Sequence, residues 1–408
     1  MGNSPTRLLG SLFVLGAAIG AGTIGVSAFS SAPAGAAPVI TVNDASDPTS
    51  TPPQANCVAS PEGDCTLRAA LAEANTLDED VTIELGDPRN VPYNPSTSYS
   101  VNPGVGELQV YETGGVVDLV GAGAAAVDIR AGCPTGCTND TRVLEIGSGQ
   151  AGGAVADVPG VTISNGNAPP GEGSDCGGIC VSDPGSRLTL TDSVVSGHTA
   201  LTFGGGVGLY HGGSATLTND TITGNAVSTA GNQDGGGGGI YVVNDDTSTA
   251  NLTVHNTTIA DNTVTTGGNG SGGGIDVFNT GSGFNPNLTI DIDHSTINGN
   301  VISGSGAQSA GGGIAASDGS WQLVDSTISA NTAGSGGGIM DRATVSSVVS
   351  ATFDTIAGNT ATDAHWWQPP NAGCRHGERR REHRRRRALQ RQGVELSRHG
   401  WHAALSGL

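Results

Sequence analysis

The stretch Gly237–Asn262, GGGIYVVNDDTSTANLTVHNTTIADN, decides the fold of this chain. It opens with Gly-Gly-Gly-Ile, contains short runs in which apolar and polar residues alternate, and closes with Ile-x-x-Asn. Alternation with a period of two, rich in Val and Thr, is typical of strands that bury one face. Gly and Asn between the runs indicate tight turns, some of which need a positive φ. The stretch therefore predicts a coil made of short strands and turns.

The same unit recurs along the chain and can be recognised from Gly177 to Asn359, with His198 in the Asn position of its weakest copy. A coil of this kind cannot bury its own apolar face, so it needs neighbours above and below. We therefore predict an all-β protein, a right-handed parallel β-helix whose Asn side chains hydrogen-bond from rung to rung. The residues that mark four of the rungs are Ile240 with Asn262, Ile275 with Asn300, Ile314 with Asn331, and Ile339 with Asn359.

This repeat resembles that of the polymorphic outer membrane proteins, whose units pair a Gly-Gly-Ala-Ile-like tetrapeptide with a Phe-x-x-Asn-like one. Ile stands here in the position of the Phe. The resemblance implies a β-helix fold and says little about activity.

Residues 38–90 precede the repeats and form an N-terminal module in this interpretation. Strand patterns at positions 40–43 and 81–85 flank an amphipathic helix pattern at positions 64–75. We expect the helix to cover the first rung of the coil, because an open rung exposes unpaired backbone groups and invites aggregation. The apolar residues that share one face of the helix are Leu67, Ala70, Leu71 and Ala74.

Within this module, the run Cys65–Leu71 resembles the core of the CSLREA domain, which is found at the N-terminus of exported bacterial repeat proteins. The Glu of that family is replaced by Ala69 in this chain. Arg68 has two interpretations: it pairs with a carboxylate where the module meets the first rung, or it is simply solvated.

The first 36 residues are predicted to be a signal peptide, because an apolar run, Leu8–Phe29, follows Arg7 and Ala34–Ala36 fits the small-x-small cleavage pattern. The alternative is a retained membrane anchor, since the run is long enough to span a bilayer. We expect a secreted or cell-surface protein with no membrane span after removal of the signal.

Export makes the cysteines candidates for disulfide bonds, which oxidising compartments sustain. Zinc binding is the alternative, but no cysteine pair has a His at ligand spacing. Cys374 stands alone in the C-terminal tail. The close pairs are Cys57 with Cys65, Cys133 with Cys137, and Cys176 with Cys180.

Residues 91–363 are assigned to the β-helix repeats, and residues 364–408 do not continue them. This tail is rich in Arg, and near its start Trp366 and Trp367 stand where a further Gly-Gly is due. Trp codons read one nucleotide later supply Gly codons, so a frameshifted and disordered tail is the preferred explanation. A basic arm that binds nucleic acid or an acidic polymer is the alternative.

The chain has a formal net charge of −20, and most of its arginines lie in the tail. An acidic body repels nucleic acid, which we exclude as a partner. The glycine runs lack the Lys and the following helix of a phosphate-binding loop. No cofactor and no metal site are predicted, and His255 and His294 are interpreted as an exposed ladder on adjacent rungs.

The expected function is therefore that of a non-catalytic protein, adhesin-like or a structural display rod, because long outward loops on a rigid column suit binding. Its ligand would be an extracellular carbohydrate or a cell-surface protein. The alternative is a polysaccharide lyase or glycoside hydrolase on a β-helix scaffold, although Arg187 and Arg342 are the only Arg or Lys residues within the recognisable repeats, Gly177–Asn359. The residues that could serve such an enzyme are Asp245, Asp246, Asp291, Asp293 and His211.

Overall fold

The computed structural model describes most of the chain between the predicted signal peptide and the tail. Asp246, Cys133, Cys137, Cys374 and the predicted signal peptide lie outside the described residues. The described residues are 37–47, 57, 65–77, 79–86, 97–111, 114–132, 141–147, 153–168, 175–245, 248–281, 285–304, 309–317, 319–342, 348–352, 354–362 and 394–395.

Short strands dominate the described residues, which contain a single helix, α1 (Leu67–Ala74). The strands are β1 (Val39–Val42), β2 (Val81–Leu85), β3 (Thr97–Val101), β4 (Leu108–Val110), β5 (Val116–Val120), β6 (Val127–Ala131), β7 (Leu144–Ile146), β8 (Val155–Pro159), β9 (Thr162–Ser164), β10 (Ile179–Ser182), β11 (Arg187–Thr191), β12 (Val194–Ser196), β13 (Thr199–Ala200), β14 (Val207–Tyr210), β15 (Ser214–Thr218), β16 (Thr221–Thr223), β17 (Ala226–Ser228), β18 (Gly235–Gly236), β19 (Ile240–Asn244), β20 (Ala250–His255), β21 (Thr258–Ala260), β22 (Thr263–Thr266), β23 (Gly270–Ser271), β24 (Ile275–Asn279), β25 (Leu288–Asp293), β26 (Thr296–Asn298), β27 (Val301–Gly304), β28 (Ile314–Ala316), β29 (Ser320–Val324), β30 (Thr327–Ser329), β31 (Thr332–Ala333), β32 (Ile339–Asp341), β33 (Val348–Thr352), β34 (Thr355–Ala357), β35 (Thr360–Ala361) and β36 (Val394–Glu395).

Four long parallel sheets are built from these strands. The first sheet has the order β1-β2-β5-β8-β11-β15-β20-β25-β29-β33, and the second has the order β36-β32-β28-β24-β19-β14-β10-β7-β4. The third sheet runs β3-β6-β9-β12-β16-β21-β26-β30-β34, the fourth runs β13-β17-β22-β27-β31-β35, and β18 pairs with β23. One turn of the coil takes a strand from the second, first, third and fourth sheets in that order, as β19 to β22 do. The predicted all-β parallel β-helix is confirmed.

Aliphatic side chains fill the interior in columns, because equivalent residues of successive rungs pair in register. Ile222, Ile259, Ile297 and Ile328 are partners across the third sheet, and all four are fully buried. Burying one such side chain stabilises the fold by roughly 1.5–3 kcal/mol. The apolar residues that follow the Gly-Gly-Gly runs form a similar column in the second sheet, namely Ile240, Ile275, Ile314 and Ile339.

The predicted Asn ladder lies at the turn between the third and fourth sheets. The N–H and the side-chain amide of Asn262 both donate to Oδ1 of Asn300, each at 3.0 Å. The same amide also donates to the carbonyl oxygen of Ile222 at 3.0 Å, in the preceding rung. Equivalent bonds are made by Asn225, Asn300 and Asn331. Each Asn thus satisfies turn groups of two neighbouring rungs inside the coil.

His198 takes the Asn position in the first rung of this ladder. The N–H of Gly166 donates to its Nδ1 at 2.8 Å, so Nε2 carries the proton and donates to the carbonyl oxygen of Ile163 at 2.9 Å. The N–H of His198 donates to Oδ1 of Asn225 at 3.1 Å. Because the imidazole is fully buried, its pKa is lowered to about 4. A neutral imidazole therefore accepts one bond and donates one to the preceding rung, as an Asn side chain does, but it makes no counterpart to the bond that each Asn amide donates to the next Asn.

A second polar ladder occupies the turn between the first and third sheets, and the repeat motif gave no indication of it. The N–H of Ser193 donates to Oδ1 of Asp220 at 2.8 Å, and the N–H of Asp220 donates to Oγ1 of Thr257 at 3.1 Å. Burial raises the pKa of Asp220 to about 7, although the N–H groups of Ser193 and Thr218 oppose this shift. The later members of the ladder are Ser295, Ser326 and Asp354.

The Gly-Gly-Gly run packs directly against the Asn ladder. Gly237 has a φ of +65°, and a Cβ there would lie 2.6 Å from the carbonyl oxygen of Ile240. A Cβ on Gly239 would lie 2.7 Å from the carbonyl oxygen of Gly274 and 3.0 Å from the side-chain nitrogen of Asn262. The two halves of the repeat, which are distant in sequence, therefore form one packing unit.

Helix α1 covers the start of the coil, as expected. Thr66 caps the helix, and its side chain accepts a hydrogen bond from the N–H of Ala69 at 3.2 Å. Asn75, at the other end, donates to the carbonyl oxygen of Gln109 and accepts from the N–H of Tyr111. These groups belong to the free side of β4, the terminal strand of the second sheet. The predicted apolar face, Leu67, Ala70, Leu71 and Ala74, is buried.

Arg68 joins α1 to its surroundings, so the ion-pair interpretation of this residue is confirmed. Its guanidinium donates to both carboxylate oxygens of Asp47, at 2.8 and 2.6 Å. It also donates to the carbonyl oxygens of Gly106 and Glu107, at 2.6 and 2.8 Å. The Asp47 side chain is only 4% exposed, so this ion pair is largely shielded from solvent where α1 meets the first rung.

Two of the predicted cysteine pairs are disulfides, Cys57–Cys65 and Cys176–Cys180. Cys176 has a φ of +58° and stands where later rungs have the first Gly of their Gly-Gly-Gly run. Among the described residues, no helix is both long and apolar enough to cross a membrane.

Candidate functional site: a groove along the second sheet

A groove forms where the segments ahead of the Gly-Gly-Gly runs pass along the outer face of the second sheet. Parallel bridges join these segments from rung to rung, connecting Phe203 to Gly236, Ser271 to Ala310, and Ala310 to Ser335. The outward residues of β19, β24 and β32 form the opposite wall. The cavity between the two walls has a volume of about 320 Å³. Several rungs therefore contribute to one elongated site.

Aromatic side chains line part of the groove. The rings of Phe203 and Tyr241 are stacked, with their centroids 4.6 Å apart. Phe278 also lines the groove and is 43% exposed, which is unusual for so large an apolar side chain. The guanidinium of Arg342 lies 6.0 Å from the centre of the Phe278 ring, within the range of a cation–π contact. The groove thus offers flat apolar surfaces beside a positive charge.

A buried ion pair forms the polar part of the groove. Asp276 is 1% exposed on its side chain, and its Oδ1 accepts a short hydrogen bond from Nη2 of Arg342. Its Oδ2 accepts from the hydroxyl of Ser271 at 2.5 Å. Burial raises the pKa of Asp276, while the Arg342 charge and these hydrogen bonds act in the opposite direction. Nε of Arg342 is buried without a hydrogen-bond partner among the described residues, so one donor of this side chain remains unused.

Of the residues that the sequence assigned to a possible enzyme, the four that the structure describes do not line this groove. His211 follows β14 and Asp245 follows β19, so both lie where the second sheet leads into the first. Asp291 and Asp293 lie on the outward face of β25, and Asp293 ends that strand. Asp245 accepts a hydrogen bond from the N–H of Ser248 at 2.9 Å, in the manner of a turn residue. His211 and Asp245 therefore lie ahead of strands of the first sheet, whereas Asp291 and Asp293 lie within β25.

Asp293 lies between two histidines, and together they form a polar cluster. Nδ1 of His255 lies 3.0 Å from Oδ2 of Asp293, and Nδ1 of His294 lies 2.5 Å from Oδ1 of the same carboxylate. The two imidazole rings meet edge to face, with centroids 5.7 Å apart. Aligning the repeats on the Ile of Ile-x-x-Asn would have shown that His255 and Asp293 occupy equivalent positions. The interpretation of the two histidines as a simple ladder omitted the carboxylate between them.

The groove residues were harder to find from sequence. Asp276 stands one residue after the Ile of its Gly-Gly-Gly-Ile, and Phe278 and Arg342 stand three residues after theirs, whereas Phe203 precedes its glycine run. The residue types at these positions change from rung to rung, so the repeat motif does not mark them. Only the stacking of rungs brings them together. The useful signal was the Arg itself, since Arg342 is one of two arginines within the recognisable repeats.

No family model, curated protein or solved structure matches this chain. The parallel β-helix and its groove are therefore the basis on which a function can be argued.

Proposed function

We propose that this protein is a non-catalytic, exported β-helix that binds an extracellular carbohydrate through the groove along its second sheet. The observation that carries the proposal is the combination of Phe278, the stacked pair of Phe203 and Tyr241, and the Arg342 guanidinium in one elongated cavity. Ligand sites combine apolar and aromatic surfaces with a few placed polar groups. A sugar ring offers both an apolar face for stacking and hydroxyls for hydrogen bonding.

The character of the fold supports a binding role. In this proposal the groove walls are rigid, because one wall is formed by strands of the second sheet that pair in register from rung to rung. A rigid site loses little entropy when it binds a ligand. An adhesin-like or display protein, secreted or held at the cell surface, would use such a column to present the groove away from its attachment point.

The proposed export rests on the N-terminal sequence and on the disulfides. Cys57–Cys65 and Cys176–Cys180 are bonds that persist in oxidising compartments. The resemblance of Cys65–Leu71 to the CSLREA core belongs to the same proposal, because that domain stands at the start of exported repeat proteins. The position of α1 beside the terminal strand β4 is consistent with such a cap.

Binding of the purified chain to a panel of neutral and acidic polysaccharides tests the proposed function. We expect Phe278→Ala to weaken binding by about five- to tenfold, because an aromatic contact contributes on the order of 1 kcal/mol beyond the area it buries. Tyr111→Ala is the matched control, since Tyr111 is an aromatic residue of similar exposure, 42%, and does not line the groove. Equal affinities of the two variants, or no binding to any polysaccharide, would refute the proposal.

A carbohydrate-active enzyme is the second candidate, and Asp276 is the observation that favours it. Its pKa is raised by burial, and Asp234 lines the same cavity. Perturbed carboxyl groups in a cleft are typical of general acids and bases. The same panel distinguishes the candidates through the release of reducing or unsaturated sugar ends. Reproducible turnover that is lost in Asp276→Asn would replace the binding proposal with the enzymatic one.

A further inference from the structure

We propose that His255, Asp293 and His294 form a binding site for a divalent transition-metal ion with the ligand preferences of zinc. The site lies on the outside of the coil, at the C-terminal ends of β20 and β25, and not in the groove. The proposal does not depend on the proposed function. Each residue contributes one donor atom, and these three atoms all lie within 4.8 Å of one another. Two imidazoles and one carboxylate are a donor set that zinc commonly accepts.

The backbone holds these donors in place. His255 and Asp293 are register partners at the ends of β20 and β25, so their side chains leave neighbouring strands in the same direction. His294 follows directly, at a φ of +48°, and Asn256 has the same value in the preceding rung. The turn geometry is thus fixed by the stack, and the site is assembled before any ion binds.

The distances fit a single ion after a small adjustment. Ligands bind zinc at about 2.0–2.2 Å, so donors around one tetrahedral ion lie roughly 3–4 Å apart. The carboxylate of Asp293 now joins the two Nδ1 atoms at 3.0 and 2.5 Å. An ion would replace these hydrogen bonds with coordination bonds by separating the donors slightly. Oδ2 of Asp325 lies 3.8 Å from Nε2 of His294, so its charge favours the orientation in which Nδ1 of that ring faces the ion.

The architecture of the coil does not require this cluster. The register partner of His255 in the preceding rung is Thr218, and the register partner of Asp293 in the following rung is Val324. The turn position of His294 is filled by Asn256 one rung earlier. Since other rungs stack with non-ligating residues at the same positions, two adjacent histidines and a shared carboxylate call for a separate explanation. Metal binding is the one that their chemistry supplies.

The test is titration of the full chain with Zn²⁺ by calorimetry, in parallel with a His255→Thr/His294→Asn variant. Both substitutions copy the residue of a neighbouring rung, so they preserve the strand and the positive φ. We expect the wild-type chain to bind one equivalent more than the variant. We also expect a single His294→Asn change to weaken this site at least about tenfold, since even the loss of a second-shell partner costs 10- to 100-fold.

The matched control is His211→Asn, which changes an exposed His at a similar φ of +51° outside the cluster. It should bind Zn²⁺ as the wild type does, and any site formed by histidines elsewhere should persist in all variants. Zn²⁺ should also raise the melting temperature of the wild type more than that of the double variant, while Ca²⁺, which prefers oxygen ligands, should not. Equal Zn²⁺ stoichiometry and affinity in the wild type and the double variant would overturn the proposal.

Discussion

At the scale of single residues, side-chain amides and hydroxyls inside the coil replace the backbone partners that the turns lack. Asn262 illustrates the principle, because its Oδ1 accepts both from the N–H and from the side-chain amide of Asn225, each at 3.0 Å. The carbonyl oxygen of Ile222 depends on the Asn262 amide as well. Buried groups without partners are costly, so the ladder is a condition for closing the turn in a dry interior.

Replacement of Asn262 with Ala should therefore lower the free energy of unfolding by about 3–5 kcal/mol, because it leaves several buried donors and acceptors unpaired. Urea denaturation followed by circular dichroism measures this loss. Asn251→Ala is the control, since Asn251 is exposed on β20 and should change stability by no more than about 0.5 kcal/mol. A variant at Asn262 that is as stable as the control would contradict the role of the ladder.

His198 gives the ladder a pH dependence. Its pKa in the folded chain is about 4, below its ordinary value of 6.5. Between pH 4 and pH 6.5, His198 is therefore protonated in the unfolded chain and neutral in the folded chain. The stability that the neutral ring contributes is complete above pH 6.5 and is lost as the pH falls through 4. The total loss is about 3 kcal/mol.

The His198→Asn variant isolates this effect, because Asn fills the same ladder position in later rungs without titrating. We expect the difference in unfolding free energy between wild type and variant to change between pH 6.5 and 4 and to be constant above that range. Denaturant midpoints measured across this range provide the check. Parallel pH profiles of the two proteins would show that His198 does not titrate on unfolding.

At the scale of elements, α1 serves as a substitute for a strand. Sheets normally protect an edge by pairing it, and here Asn75 and Arg68 supply side-chain partners to the backbone of β4 and of the residues ahead of it. The helix thus satisfies polar groups on one side and buries apolar residues on the other. A capping role needs both properties.

Arg68→Ala should destabilise the protein by about 2–3 kcal/mol, because it leaves the sheltered Asp47 carboxylate without its counter-charge and removes two donors to backbone carbonyls. Arg68→Lys should recover only part of this loss, since an ammonium group cannot reproduce the two-pronged pairing. Thermal unfolding reports the stability, and size-exclusion chromatography reports aggregation through the uncovered edge. Arg187→Ala, at an exposed position on β11, is the control. The role of Arg68 would be refuted if both Ala variants behaved alike.

At the scale of the whole molecule, the sequence predicted the features whose residue type repeats and missed those whose residue type changes from rung to rung. The column of Ile side chains, the Asn ladder and the capping helix could all be predicted, because each rests on a pattern that recurs or on a local amphipathic face. The Ser193–Asp354 ladder was missed because different rungs place Ser, Thr or Asp at the same position. These residues share only the ability to accept a hydrogen bond from a backbone N–H. The groove was missed because the outward residues that follow Gly-Gly-Gly-Ile change from rung to rung, as Tyr241, Asp276 and Met340 do. The segments ahead of the glycine runs, which form the other wall, vary in length.

The alignment of backbone hydrogen bonds has a mechanical consequence. In all four sheets these bonds connect one rung to the next, so a pulling force applied along the stack loads successive interfaces in series. Each interface carries the whole force, and the weakest one opens first while the others remain intact. The coil should therefore lengthen in discrete steps, each releasing the chain of one rung, and absorb work over a long extension.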